Sequence, residues 1–260
     1  MRTRSGSLQG TPASLPSRSA VVSGFLVSPR VLLIGANLTN ANLSTLDLTG
    51  VNLTNANLTG ADLSSITASG TAFTGATLTN ANLNGATLSG GSFLGANLTG
   101  ASMTSSVLQG ANFTNANFTN ANLQNSTVST ANLTAANLTG TTLTGTDLSA
   151  ANLTKLRSNG IIGSPTLPAA SRVVHGYIVA VGVNLTGANL VSHDLSDLDL
   201  TGTIFTNANL HGAKLDRTNL TRANFKDASV NAGSSFASTN GRPAVLPTGY
   251  RWHLNSLQKL

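Results

Sequence analysis

An imidazole and three carboxyl groups lie close together along the chain at His193, Asp194, Asp197 and Asp199. A histidine beside carboxylates is the composition of an acid–base dyad or of a divalent-cation site. In extended chain, however, alternate residues face opposite sides, so these groups need not converge. The sequence contains no Cys, no H-E-x-x-H pattern and no acidic calcium-loop pattern. We therefore assign no catalytic, cofactor-binding or metal-ligating residue from the sequence.

The other candidate groups are scattered. His175 lies in an expected hairpin turn, His211 on an expected outer surface and His253 near the C-terminus. Ser and Thr hydroxyls are abundant, but no base that could activate one of them is identifiable. The glycine-rich residues 88–91 lack the lysine of a phosphate-binding loop and mark a corner instead. The sequence predicts a protein that is not an enzyme and needs no cofactor.

The elements that would position these residues follow a period of five. In residues 111–123, ANFTNANFTNANL, nearly the same unit is written three times. From Leu38 to Leu153, 24 consecutive fifth positions hold Leu, Phe, Met or Val, with the single exception of Ala68. The position two residues earlier is small or apolar, usually Ala. Neither a helix nor a strand has this period, so the pattern predicts a solenoid.

A longer period of twenty is superimposed on the period of five. One Leu and one Ala per unit can both face inward only if the chain turns a corner after each unit, and four corners close a square. Phe73, Phe93 and Phe113 are twenty residues apart, which predicts rings stacked along one inner wall. Another wall carries no Asn before its central residues, whereas Asn is common on the other three. Both observations favour a four-sided coil.

The units A-N-L-T-N, A-N-L-T-G and A-D-L-S-S resemble the pentapeptide-repeat proteins, whose motif is A-(D/N)-L-x-x. The resemblance covers about residues 31–154 and 183–230. It implies an all-β fold, a right-handed quadrilateral β-helix with the central Leu or Phe and the preceding Ala inside. The chain departs from the family in having far more Asn than Asp at the polar position.

Outside the repeats, LPSRSAVVSGFLV (15–27) and LPAASRVVHGYIV (167–179) match each other. Each predicts a β-hairpin with a glycine in a tight turn, and the start of a third copy is expected at 246–250. The predicted organisation is a flexible tail (1–14), a β-hairpin cap (15–30), a first block of about six coils (31–154), a linker with a β-hairpin (155–182), a second block of about 2.5 coils (183–230) and a C-terminal tail or cap (231–260).

Charge bears on two kinds of partner. Between residues 31 and 154 there are only Asp47, Asp62 and Asp147, with no Lys or Arg. The formal net charge of +6 comes from the termini and linkers, and this dispersion argues against a nucleic-acid partner, which requires clustered positive charge. The resemblance implies one alternative function, because some pentapeptide-repeat proteins mimic DNA and bind gyrase-type topoisomerases. Such mimicry needs rows of carboxylates, which the first block lacks.

A second alternative arises from hydroxyl side chains. After the central residues of the first block, 14 of 24 positions are Thr and six are Ser. Regular hydroxyl ladders on a nearly uncharged surface are compatible with binding to ice or to a polysaccharide surface. Thr and Ser also favour β-geometry for structural reasons alone. The main expectation is therefore a structural or protein-interaction solenoid whose partner is an unknown protein or a second copy of the chain.

Two features bear on the compartment. Sequons recur on neighbouring coils, as at Asn112, Asn117 and Asn132, and glycans about 4.8 Å apart would collide. The first twenty residues are rich in Arg and Ser, faintly like an organelle transit peptide, but a disordered tail is the expectation. No apolar run approaches the roughly 18 residues of a membrane span. The sequence thus favours a cytoplasmic, bacterial-like setting.

Overall fold

The computed structural model describes residues 17–253 and 256–260. Within these ranges the fold is all-β, and no helix has the length and apolar character needed to cross a bilayer. The chain divides into two compact units. Unit 1 comprises the chain up to Asn152 together with Ile162–Thr166, and unit 2 comprises Leu153–Ile161 and Leu167–Leu260. The tail expected at residues 1–14 lies outside the described residues.

In unit 1 the chain winds in coils of twenty residues. The residue before each central position forms a parallel bridge with the residue twenty positions later, as in Asn57↔Thr77 and Asn97↔Asn117. Asn57, for example, donates its N–H to the carbonyl of Ala36 at 2.9 Å and accepts from the N–H of Leu38 at 2.7 Å. The backbone of each coil is thus hydrogen-bonded to the coils before and after it, and the predicted period of twenty is confirmed.

The corners explain why polar residues recur at fixed positions of the repeat. Asn37 accepts the N–H of Thr39 on its Oδ1 at 3.2 Å, an Asx turn that recurs through the chain and favours Asn or Asp before the central residue. The second residue after the centre is left-handed, with φ of 54° at Asn40 and 65° at Gly60. Asn and Gly tolerate this conformation best. A Cβ on Gly60 would also lie 2.3 Å from Oδ1 of Asn40 on the neighbouring coil.

The interior of unit 1 is filled by the central residues. From Leu38 to Leu148 each of them is at most 1% exposed. The predicted ring stack is confirmed: the centroids of Phe73 and Phe93 are 4.7 Å apart, and those of Phe93 and Phe113 are 4.8 Å apart. Phe118 packs edge-on against the last of these rings. Burial of these apolar side chains is the main stabilising contribution, because each coil buries its rungs only against its neighbours.

Hydroxyl groups replace Ala at several inner positions without remaining unpaired. Thr71 donates its hydroxyl to the carbonyl of Leu48 at 2.6 Å, and Thr146 donates to the carbonyl of Leu123 at 2.7 Å. Ser106 bonds to a carbonyl of its own coil. These bonds offset the cost of removing a polar group from water.

Unit 2 repeats the same architecture with a change of phase. Its bridges begin at a spacing of twenty, as in Asn184↔Ile204, and lengthen to 21 in Lys214↔Ser235, Asn219↔Asn240 and Asn224↔Val245. One additional residue therefore lies in the corner at 231–234. As a result Phe236, rather than residue 235, is buried. The coil continues beyond residue 230, into the segment that the sequence assigned to a tail or cap.

Three antiparallel β-hairpins accompany the coils. Strands β1 (Ala20–Val22) and β2 (Phe25–Val27) form the first, and β3 (Arg172–Val174) and β4 (Tyr177–Val179) form the second. Both hairpins lie where the sequence predicts them. Strands β5 (Tyr250–His253) and β6 (Ser256–Lys259) form the third, directly after the segment that resembles the other two.

Candidate functional site

The three carboxylates singled out in the sequence have separate partners. Asp194 and Asp199 each close an Asx turn by accepting a backbone N–H two residues later, at 2.9 and 3.0 Å. Asp197 instead forms a bidentate pair with Arg217 of the next coil, with both N–O distances at 2.7 Å. Across residues 17–253 and 256–260, no three His or carboxylate side chains form a group that could hold a metal ion.

The electrostatics of this region stabilise charged carboxylates. A hydrogen bond from the side chain of Ser196, followed by one from its backbone N–H, lowers the pKa of Asp194. The hydrogen bond from Arg217 lowers the pKa of Asp197, and the same pair raises the pKa of Arg217. These carboxylates are therefore held as anions, which does not suit a general acid near neutral pH.

Two of the four histidines meet. His175, in the turn between β3 and β4, packs edge-on against His193 with the ring centroids 4.8 Å apart. Nearby, Arg172 donates Nη2 to the carbonyl of Ser196, while its buried Nε has no hydrogen-bond partner in the portion of the chain that is described. His175 is exposed and His193 is half-buried. The arrangement joins the hairpin to the coil.

On the outside of unit 1, part of the hydroxyl ladders is hydrogen-bonded within the protein. Eight Thr or Ser side chains donate to the Oδ1 of the Asn two residues earlier at 2.6–2.7 Å. Along one wall the amides also connect coils, because Asn137 donates Nδ2 to Oγ1 of Thr119 at 3.0 Å and Asn117 donates to Thr99 at 3.1 Å. These outer polar groups thus form a regular lattice of internal hydrogen bonds.

Two corners obtain their Asx acceptor from the preceding coil. Ser102 stands where most units have Asn, and Oδ1 of Asn84 replaces the missing amide by accepting from the Ser102 hydroxyl at 2.7 Å and the Thr104 N–H at 2.9 Å. Asp216 does the same for the next coil, where it accepts from the Ser235 hydroxyl and, at 2.8 Å, from the Ala237 N–H. Lateral side-chain bonds can therefore compensate for irregular repeats.

A cavity of about 390 Å³ lies at the C-terminal end of unit 2, between the last coil and the hairpin β5–β6. It is lined by Val230, Asn231, Ala232, Ser234, Phe236, Tyr250, Leu257 and Lys259. The repeat pattern predicts an interior occupied by its central residues and does not reveal this space. The available signals were the aromatic residues Phe236, Tyr250 and Trp252, which lie beyond the last regular repeat.

The sequence matches the model of the family described as pentapeptide repeats, in eight copies covering residues 30–65, 69–104, 96–134, 131–157, 181–216 and 203–231. No curated protein matches it.

Several solved structures are similar to this chain. One is HetL from the cyanobacterium Nostoc sp. strain PCC 7120, a pentapeptide repeat protein involved in heterocyst differentiation regulation. Its sequence is 24% identical to this chain, the match covers 79% of this chain and 86% of HetL, and the TM-score is 0.43. QnrB1, a plasmid-mediated fluoroquinolone resistance protein, is 18% identical over 77% of this chain and 91% of its own, with a TM-score of 0.32.

A third similar structure is a pentapeptide repeat protein from the Arabidopsis thaliana thylakoid lumen. It is 29% identical over 42% of this chain and 63% of its own, with a TM-score of 0.22. The family model covers well over half of the sequence, and the coils have the period, inner residues and corners that the repeat requires. The chain belongs to the pentapeptide-repeat family, the right-handed quadrilateral β-helices.

Proposed function

We propose that the protein is a non-enzymatic solenoid that acts as a scaffold or a protein-interaction module. The observation that carries this proposal is the filled interior of unit 1, where central residues from Leu38 to Leu148 are at most 1% exposed. Catalysis needs convergent polar groups in a concave site. A cylinder packed with Leu, Phe and Ala leaves no internal space for one.

The outer surface favours a protein as the binding partner. It is a regular array of backbone corners and short side chains, and its Asn and Thr groups mostly bond to one another. Such a surface offers shape and a rigid spacing more than it offers charge. Extended surfaces of this type are what repeat proteins use to bind other proteins. The partner is an unidentified protein or a second copy of the chain, and nucleic acid is disfavoured by the dispersed positive charge.

Mimicry of DNA toward a gyrase-type topoisomerase is disfavoured by the charge of unit 1. Its carboxylates at Asp47, Asp62 and Asp147 do not form rows at phosphate-like spacing. Against binding to ice or polysaccharide, several Thr hydroxyl groups of the ladders already donate to Asn oxygens of the protein. A supercoiling assay and a thermal-hysteresis measurement test these two alternatives, and activity in either one would replace the scaffold proposal.

The decisive experiment is affinity capture from lysate of the native organism, followed by reconstitution with the purified partner. The bait is the folded protein, and the matched controls are Thr119→Arg, which places a charge on the outer wall, and Phe93→Asp, which buries one. Partner capture at a fixed stoichiometry, weakened by the first variant and abolished by the second, is the expected result. A protein that binds nothing and remains monomeric in light scattering up to high concentration contradicts the proposal.

For the compartment, we propose a cytoplasmic, bacterial-like setting. Asn117 and Asn137 lie on adjacent coils, and the amide of Asn137 donates to Oδ1 of Asn117 at 3.3 Å. Glycans on such sequons would break these bonds and collide with each other. The intact mass of the protein from its native organism should therefore show no glycan, and a glycosylated mass would overturn this assignment.

A further inference from the structure

The cavity at the end of unit 2 has the properties of a ligand site. We propose that it binds a small organic carboxylate with an aromatic or branched aliphatic body. Its volume of about 390 Å³ lies within the range typical of pockets for small molecules. Slightly more than half of its wall is apolar, with Phe236, Val230, Tyr250 and Leu257 among the lining residues. Such a wall favours an apolar ligand body, because burying it removes hydrocarbon surface from water.

The hydroxyl groups and the amide oxygen of the wall are already engaged. Tyr250 donates its hydroxyl to the carbonyl of Val230 at 3.3 Å, and Ser234 donates to the carbonyl of Leu210 at 2.8 Å. Oδ1 of Asn231 accepts the N–H of Gly212 on the preceding coil at 3.0 Å. These contacts hold the wall in place and leave the amide N–H groups of Asn231 and one charged side chain as donors toward a ligand, so a preference for an anion depends on that charged side chain.

That side chain is Lys259, the one charged residue among the eight that line the cavity. It lies on β6 opposite Tyr250 and is exposed, so its ammonium group remains accessible at the edge of the apolar wall. A cation beside an apolar space selects a ligand with one negative group attached to a hydrophobic body. A carboxylate fits because it can accept hydrogen bonds from the ammonium while its body stays in the cavity.

The third hairpin is packed less tightly than the second. In the hairpin β3–β4 the strand residues Ile178 and Val179 are both fully buried, so that hairpin is tightly packed. Leu257, the second residue of β6 as Ile178 is of β4, is only half-buried, and so is its cross-strand partner Trp252. The hairpin β5–β6 therefore packs less completely than β3–β4 and leaves room for a small ligand.

Calorimetry or ligand-detected NMR with 2-naphthoate and its neutral isostere 2-naphthamide tests the proposal on the full chain. We expect saturable binding of naphthoate at a single site, and binding of the amide that is about two- to fivefold weaker, as for loss of one exposed ion pair. Lys259→Gln should remove the preference for the anion. The matched control Lys226→Gln, an exposed lysine that does not line the cavity, should retain it.

A second variant distinguishes binding in this cavity from non-specific adsorption to the protein surface. Ala232 lines the cavity and is exposed, so Ala232→Trp should fill the opening without disturbing the buried coil. We expect it to abolish naphthoate binding while the circular dichroism spectrum stays unchanged. The proposal is overturned if naphthoate does not bind at millimolar concentration, if the tryptophan variant binds it equally well, or if the Lys259 variant still prefers the anion.

Discussion

The stacked rings of unit 1 make a sharp test of the inward register. Phe93 is fully buried and lies between Phe73 and Phe113, with ring centroids at 4.7 and 4.8 Å. Phe93→Ala removes both stacking contacts and leaves a cavity that a rigid coil cannot readily collapse. Truncation of a buried Phe typically costs 3–5 kcal/mol, and the two lost ring contacts place this site in the upper half of that range. We expect a loss of about 4 kcal/mol.

Two matched variants calibrate this value. The same inner wall carries Leu at Leu53 and Leu133, so Phe93→Leu substitutes a side chain that the wall already accommodates. Its expected cost is about 1–2 kcal/mol, because the ring contacts are lost but much of the apolar volume remains. The adjacent Leu94 is 40% exposed, and Leu94→Ala should change the stability by less than about 0.5 kcal/mol.

Urea unfolding followed by circular dichroism measures all three variants. With a slope of roughly 2 kcal/mol per molar urea, the alanine variant should lower the midpoint by about 2 M. The order of stability should be Leu94→Ala, then Phe93→Leu, then Phe93→Ala. If Phe93→Ala lowers the midpoint no more than Leu94→Ala does, the ring does not face inward and the register is refuted.

Three other substitutions test the corners and the carboxylates. Asn84→Ala should cost about 1–2 kcal/mol of unfolding free energy, because the N–H of Thr104 loses its acceptor. The control Gln124→Ala, at the same position of its unit, should cost less than about 0.5 kcal/mol. Equal losses in the two variants would contradict the bond between coils. Thr130→Gly should increase the unfolding free energy by about 0.5–1 kcal/mol and so raise the urea midpoint, because a β-branched residue with φ of 61° is strained. A lower midpoint would show that this corner is not strained. Asp147→Asn should flatten the fall in stability on acidification. A hydrogen bond from the serine side chain two residues later lowers the pKa of Asp147 in the folded protein below 3.8. The stability that this carboxylate contributes is therefore complete above its unfolded pKa and is lost as the pH falls through its folded pKa. Unfolding free energies measured from pH 6 to 2.5 that fall equally steeply with pH in the variant and in the natural protein would refute this.

Much of the fold could be predicted from the sequence because one unit is repeated. The period of five requires corners, the period of twenty brings Phe73, Phe93 and Phe113 into one stack, and the structure has both. The hairpins at residues 23–24 and 175–176 were visible as two copies of one segment. In each case a local signal recurs often enough to identify its three-dimensional role.

The remaining features depend on contacts that a linear pattern does not contain. The bond between Asn84 and Thr104 joins residues twenty positions apart and appears only once the coils are in register. The cavity was missed because one extra residue shifts the phase: the inner position falls on Phe236, and a search in steps of five from Val230 reaches Ser235 instead. The same shift hid the continuation of the coil to Val245.

That single extra residue has a consequence for how such a protein can change over evolutionary time. The bridges after the corner at 231–234 resume with every partner moved by one, so the lateral hydrogen bonds survive the insertion. An insertion inside a wall would instead turn the following side chains from the interior to the outside. Corners therefore form a set of permissive points around the cylinder, where a lineage can add a residue or a whole loop, and with it a new recognition surface, while the stack beneath keeps its packing.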